Sequence, residues 1–252
     1  MAIDPAVSLR IINNERVRIA GAWGEYRDLG GALALTSDAP AEALNCIEGF
    51  TTTEAKVDSL LDLGFSLLRA FDRAPAVRLT ELDRPKSLPA ALERRRLRPT
   101  DHTTAMVFRG DVAALRMNPE VAVRRAGHDD ARTFANIVSP SGWAKPFMLP
   151  AVMVQMLDAG HFFYIAYVDG EAAGTAHLLI DEAAAGIYAV ATKRDFRRRG
   201  VCSTLMATAV REAQSQGCDV IGLRTATGGD AHRLFASLGF EDAHTSVVWT
   251  ET

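Results

Sequence analysis

Between Ile187 and Ala213 the sequence passes from a strand, through a basic glycine turn, into a helix without a break. Ile187, Tyr188, Val190 and Thr192 are β-branched or aromatic, with small residues between them, as in a buried strand. Leu205, Met206, Ala209 and Val210 recur at helical spacing. Arg197, Arg198, Arg199, Gly200, Val201, Cys202, Ser203 and Thr204 fill the turn. The first N–H groups of a helix have no partner inside it, and the helix dipole adds positive charge there. Such a turn is built to hold an anion. Gly200 lets the backbone approach a ligand, and Ser203 or Thr204 is placed to cap the helix or bond a phosphate oxygen. From Lys193 to Arg199 stand five basic residues and one acid, a local balance of +4 in a chain of net charge −3.

That net charge argues against a general nucleic-acid binder and makes any basic site local. No apolar run approaches the ~20 residues of a membrane helix. Met1 to Arg16 shows no basic segment followed by an apolar stretch, so no signal peptide is expected. Cys46, Cys202 and Cys218 are odd in number and lack Cys-x-x-Cys spacing. A reducing cytoplasm without disulfides or structural zinc fits them best. A length of 252 residues allows one large domain or two ordinary ones.

Two phosphate-loop patterns are missing: Gly-x-x-x-x-Gly-Lys-Ser/Thr, and Gly-x-Gly-x-x-Gly after the strand. What stands there, Arg197-x-x-Gly200-x-Cys202, resembles the Arg/Gln-x-x-Gly-x-Gly/Ala loop of the GCN5-related N-acetyltransferases (GNAT). Val190 to Arg197 is similar to that family's strand-to-loop lead-in. Ala231 to Phe240 resembles its later motif, a helix ending in Leu-Gly-Phe, and Gly239 suits the left-handed cap of that helix. The resemblance spans roughly Val121 to Thr252.

The resemblance implies an α/β (α+β) fold, a twisted mixed, mostly antiparallel sheet flanked by helices. It implies acetyl-CoA as cosubstrate and no metal. Pantetheine would lie along Val190, Ala191 and Thr192, in a gap between two splayed strands. The pyrophosphate would meet the amides from Arg198 to Thr204, with Arg197 and Phe235 nearby. The implied reaction is direct transfer of an acetyl group to the amine of a small or amino-acid-like acceptor. A backbone N–H near Val190 or Ala191 would polarise the thioester. A homodimer is compatible with the family, and a histone-tail acceptor is disfavoured because no acidic groove is legible.

Two positions depart from the pattern. Cys202 replaces a Gly or Ala, and its place at a helix start would lower a thiol pKa, although a buried stand-in for Ala is the simpler reading. Phe235 stands where the family often has a tyrosine that protonates the leaving thiolate. Tyr188, beside the pantetheine gap, and His177, on the neighbouring strand, are the alternative proton-transfer groups; His161, Asp181 and Glu182 are weaker. Phe235 also keeps open a second class: an acyl-CoA-binding or regulatory protein without turnover.

The first half reads as a degenerate copy of the second. A strand at Ala32–Leu35 precedes a helix from Glu54 to Ala70, capped by Thr52 or Thr53, with Val57, Leu60, Leu61, Phe65 and Leu68 on one face. A strand at Ala76–Leu79, a helix from Leu88 to Arg95 and a strand from Thr103 to Phe108 follow. His102–Val107 echoes His244–Trp249. No basic residue occurs from Leu29 to Ala55, so a pyrophosphate would find little neutralising charge. The expected domains are 1–118, GNAT-like without a cofactor loop, and 119–252, which carries the cofactor. In the second domain, Asp129 or Asp130 and Asp230 are expected helix caps. The loop 139–146, with Trp143, is a candidate wall of the acceptor pocket or a packed connector.

Overall fold

The computed structural model describes residues 4–139 and 149–251, so the expected pocket wall around Trp143 lies outside the described residues. The order of elements is α1 (Pro5–Ala20), β1 (Gly24–Asp28), β2 (Leu33–Ser37), β3 (Cys46–Glu48), α2 (Glu54–Ala70), β4 (Ala76–Thr80), α3 (Leu88–Arg94) and β5 (Leu97–Phe108) in the first half. The second half continues with β6 (Val121–Arg125), α4 (Ala131–Val138), α5 (Pro150–Asp158), β7 (Phe162–Val168), β8 (Glu171–Asp181), β9 (Ala184–Thr192), α6 (Val201–Ser215), β10 (Val220–Ala226), α7 (Asp230–Ser237) and β11 (Phe240–Glu251).

Among the described residues the strands form one sheet in the order β1-β2-β3-β4-β11-β5-β10-β9-β8-β7-β6. Only β3–β4 and β9–β10 run parallel; the other pairs are antiparallel. The two halves interlock. β11, from the end of the chain, lies between β4 and β5, and β5 lies between β11 and β10. The echoed segments are these exchanged strands, and they pair with each other: Thr245 faces Thr104, Ser246 faces Thr103 and Val247 faces His102.

In the second half α6 and α7 cover one face of the sheet, through Val201, Leu205, Met206, Val210 and Phe235 on Ala176, Leu178, Ile187 and Leu223. α4 and α5 cover the other face, over Phe163, Ile165, Ala189 and Ala191. In the first half α2 and α3 bury Leu61, Phe65, Leu68 and Leu92 on Ile47, Val77 and Trp249. Helix α1 belongs to the first half by sequence, yet it crosses to the second. Its Ile11 packs with Ala105, Val107, Ala184 and Val220, while its Ile19 packs with Leu35 and Leu44.

Expected side-chain caps do not form at three helices. Thr53 and Asp130 occupy the cap positions of α2 and α4 without a capping bond. Asp130 is taken by Arg124 and by the Gly127 amide instead. At α7 the cap is Gly229, and Asp230, one residue inside, pairs with Arg233. Asp169 and Gly170 join β7 to β8, both at positive φ (53° and 81°), the conformation that closes a two-residue hairpin.

Candidate functional site

β9 and β10 pair only over Ala184–Ile187 and Val220–Leu223. Beyond Ile187 the strands diverge, so the β10-facing backbone of Tyr188 to Thr192 has no strand partner. On its other side β9 pairs with β8, but the register slips: Thr175 faces Ala191 and His177 faces Tyr188. One residue more is used on β9 than on β8, which makes a bulge. Its centre is Ala189, at φ +49°, a left-handed conformation uncommon for a residue with a side chain. Thr175 holds the bulge by donating from Oγ1 to the Ala189 carbonyl at 3.0 Å. Neither the bulge nor Thr175 was visible in the sequence, because alternation of small residues reads the same with or without an extra one.

A cavity of about 550 Å³ opens at this divergence. Ile187, Tyr188, Ala189 and Val190 line it from β9, Leu223 to Ala226 from β10, Ala231 and Phe235 from α7, and Glu15, Arg18 and Ile19 from α1. Phe235 thus stands at the gap where the sequence placed it, edge-tilted on Phe240.

Past Thr192 the chain enters the basic turn. Arg198 (φ +61°) and Gly200 (φ +73°) are both left-handed. A Cβ at Gly200 would meet Cβ of Asn118 at 3.0 Å, so glycine is required by conformation and by space. Asn118 anchors the turn: its Nδ2 donates to the Arg199 carbonyl at 2.9 Å, and its amide donates to Thr204 Oγ1 at 3.0 Å. The residue read as the join between halves is therefore a strut of the loop.

No side chain caps α6 among the described residues. Ser203 and Thr204 were expected to cap the helix or meet a phosphate; both hydroxyls instead donate back to the Gly200 carbonyl, at 3.0 and 2.8 Å. Thr204 is fully buried, and its hydroxyl frames the loop. Lys193, Arg194, Arg197 and Arg198 are exposed and have no ion pair among the described residues, whereas Arg199 is tied to Asp169 at 2.9 Å. Cys202 is not activated by its place near the helix start. Burial pushes its thiol up to about 11, as suits a replacement for Ala.

Tyr188 and His177 face each other across β8 and β9, but only Tyr188 reaches the cavity. The Tyr188 hydroxyl donates to Asn14 Oδ1 at 2.7 Å, and Asn14 Nδ2 donates to the Ala184 carbonyl at 3.1 Å. Gly186 makes the room, since a Cβ there would lie 2.3 Å from that hydroxyl. Burial raises the Tyr188 phenol above its ordinary value. His177 is completely buried, stacked on Phe163 at 4.4 Å, with Nε2 2.9 Å from Nδ1 of His161. Desolvation drives His177 well below the ordinary histidine range and His161 to about 4, so both rings are neutral at physiological pH. Asp181 and Glu182 lie at the β8–β9 turn, away from the cavity.

The sequence reading missed α1, which brings charge to the cavity. Glu15 accepts from Arg224 at 2.8 Å and lies 3.5 Å from Arg78, which also pairs with Glu48 at 2.6 Å. Burial opposes the charge on Glu15, but Arg224, Arg78 and Arg18 hold its carboxyl down at about 2. An Asp-Pro start was the available signal: Asp4 caps α1 through the Ala6 amide at 2.8 Å, with Pro5 in the first turn.

The corresponding gap of the first half is closed. β3 and β4 pair only at Ile47–Val77 and Glu48–Arg78. Asp83 then bridges them, accepting from the amides of Phe50 at 2.5 Å and Thr80 at 2.6 Å, and the Arg84 amide donates to the Phe50 carbonyl at 2.9 Å.

A splayed parallel pair, a bulge at the splay and a basic helix start thus follow one another along the chain. Residues 131–240 match the acetyltransferase (GNAT) family. No curated protein matches the chain in sequence. Among solved structures, a GCN5-related N-acetyltransferase from Kribbella flavida superposes with a TM-score of 0.74 at 19% identity, over 100% of this chain and 96% of that one. A GCN5-related N-acetyltransferase from Sphaerobacter thermophilus gives 0.71 at 15% identity, over 93% and 84%. A tandem GNAT protein from the clavulanic acid biosynthesis pathway gives 0.66 at 15%, over 94% and 87%. At these identities the likeness establishes the fold, a tandem GNAT arrangement with a mostly antiparallel sheet flanked by helices.

Proposed function

We propose that the protein transfers an acetyl group from acetyl-CoA to the amine of a small or amino-acid-like acceptor by direct attack. The observation that carries this reading is the continuity of the β9–β10 gap, the Ala189 bulge and the Arg197–Thr204 turn. We further propose that residues 1–118 form a GNAT-like half without a cofactor site and 119–252 the half that binds acetyl-CoA. Asp83 occupies the strand gap in the first half, and the second carries the Arg197–Arg199 turn that leads into α6.

The residues present fit the cosubstrate. The uncapped N–H groups of α6 and the unpaired Arg197 and Arg198 suit a pyrophosphate, and the β10-facing backbone of Val190 to Thr192 suits an amide-bearing arm. When bound, acetyl-CoA supplies the activated acyl group. Backbone N–H groups at the bulge would meet the negative charge that develops on a carbonyl oxygen, and fixed donors of this kind cost no reorganisation. Holding amine and acyl group together supplies several kcal/mol of the barrier.

The proton from the ammonium leaves through water in this scheme. Glu15 is too acidic to act as a base near neutrality, and the buried His177 does not line the cavity. Tyr188 is assigned to positioning, because its hydroxyl is already committed to Asn14. Thiol release from acetyl-CoA with a panel of amines tests the reading. One observation favours a second reading: Phe235 offers no proton to a leaving thiolate. Tight acetyl-CoA binding with no thiol release for any amine would make the chain an acyl-CoA-binding protein instead.

A further inference from the structure

Three arginines enter the wall of the cavity, and they are not equivalent. Arg78 shares Glu48 and Glu15, and Arg224 pairs with Glu15 and bonds Thr103 and Ser246. Arg18 has no carboxylate within ion-pair distance among the described residues, and the residues outside that set carry no acidic side chain. Its guanidinium carbon lies 4.3 Å from the centre of the Tyr188 ring and 4.9 Å from that of Trp23. Its polar contact is with the Tyr188 hydroxyl, and its Nε is buried with no partner. Arg18 is half-buried on the cavity wall, and Glu15, the acid that feels its charge, is bonded to Arg224 instead, so Arg18 can take an anion from the cavity.

The position gives the anion a meaning. Arg18 and the bulge residue Ala189 line the same cavity, with Tyr188 between them in sequence and space. Both rings lie within cation–π distance of the guanidinium, whose planar fork of N–H groups matches two oxygens of one planar group. We propose that Arg18 is the receptor for a carboxylate on the acceptor, so that the protein takes amines that also carry a carboxylate. Trp23 and Tyr188 hold the guanidinium in place, and the amine end of the acceptor points to the bulge.

This inference rests on the acyl-transfer reading for the amine alone; the carboxylate is tested by binding. The probes are N-acetyl amino acids and their primary amides, matched in pairs over apolar, aromatic and polar side chains. Each is titrated by calorimetry into the full chain saturated with coenzyme A. At least one acid is expected to bind about tenfold or more tightly than its amide, as a charge-assisted bidentate contact requires. Arg18→Gln should bring the paired affinities together, and Arg18→Lys should restore part of the gap, with coenzyme A affinity unchanged in both.

No acid favoured over its amide in the unmodified protein overturns the proposal, whatever the variants do. So does a preference that survives Arg18→Gln. Thiol release is read separately. Acids that bind through Arg18 without turnover of any amine overturn the transferase reading and leave the carboxylate receptor standing. Turnover that ignores the carboxylate does the reverse.

Discussion

At the scale of single residues, the turn depends on two side chains, one absent and one present. Gly200 has φ +73° and a would-be Cβ 3.0 Å from Asn118. Gly200→Val should therefore weaken acetyl-CoA binding by about tenfold or more, by straining the backbone proposed to hold the pyrophosphate. Calorimetry showing unchanged affinity would place the pyrophosphate elsewhere. Tyr188 and Phe235 lead to a different expectation. Tyr188→Phe leaves Asn14 Oδ1 unpaired in a buried setting, which costs about 1–3 kcal/mol of stability. The melting temperature should fall while the shape of the pH–rate profile stays the same; a profile that loses a limb would make the phenol a proton donor. Phe235→Tyr should not raise kcat, because the new hydroxyl enters a wall shared with Phe240 and Leu223.

At the scale of elements, legibility followed amphipathicity. The helices α2 and α6 bury continuous apolar faces, and both were readable. α1 was not, because the face it buries is Ser8, Ile11, Asn14 and Ile19, while Leu9 and Val17 point to solvent. Its buried side is specified by polar bonds to strands distant in sequence, and periodicity of hydrophobicity carries no trace of those. The cavity wall made by Glu15, Arg18 and Ile19 was lost with it. The basic turn was legible because its features are local: the eight residues from Arg197 to Thr204 set its conformation and helix start and supply three of its charges. The bulge was not, since it exists only in the pairing of β9 with β8. Asn14 is the test of α1 as an element. Asn14→Ala removes the acceptor of Tyr188 and donors to the Leu179 and Ala184 carbonyls. A loss of about 2 kcal/mol or more in denaturant unfolding is expected, well above that of a surface substitution. A change within the surface range would mean that α1 docks without these bonds.

At the scale of the whole molecule, two properties follow from how the halves are joined. The first is acid sensitivity. His161 and His244 are held near 4 by burial, and burial also holds His177 well below the ordinary histidine range, so the folded chain keeps them neutral. The unfolded chain takes up those protons near the ordinary histidine value of about 6.5. Between about 6.5 and 4 the unfolded state therefore binds more protons, and stability rises with pH across this window by up to about 1.4 kcal/mol per unit for each histidine. Urea midpoints should fall as pH drops below 6.5, and His244→Leu should flatten that fall; equal slopes in the two proteins would show that His244 does not carry it. The second property is that the halves cannot fold apart. Cutting at 118 removes β11 from between β4 and β5, and takes β5 and α1 away from β10. Each fragment is left with an open sheet edge and an uncovered apolar surface, conditions that favour association over independent folding. Fragments 1–118 and 119–252 should each lack a cooperative unfolding transition, and co-expression should restore one together with a single acetyl-CoA site per chain. A fragment 119–252 that melts cooperatively and binds acetyl-CoA alone would show that strand exchange is dispensable. Two equivalent sites in the rejoined protein would show that Asp83 does not close the gap of the first half.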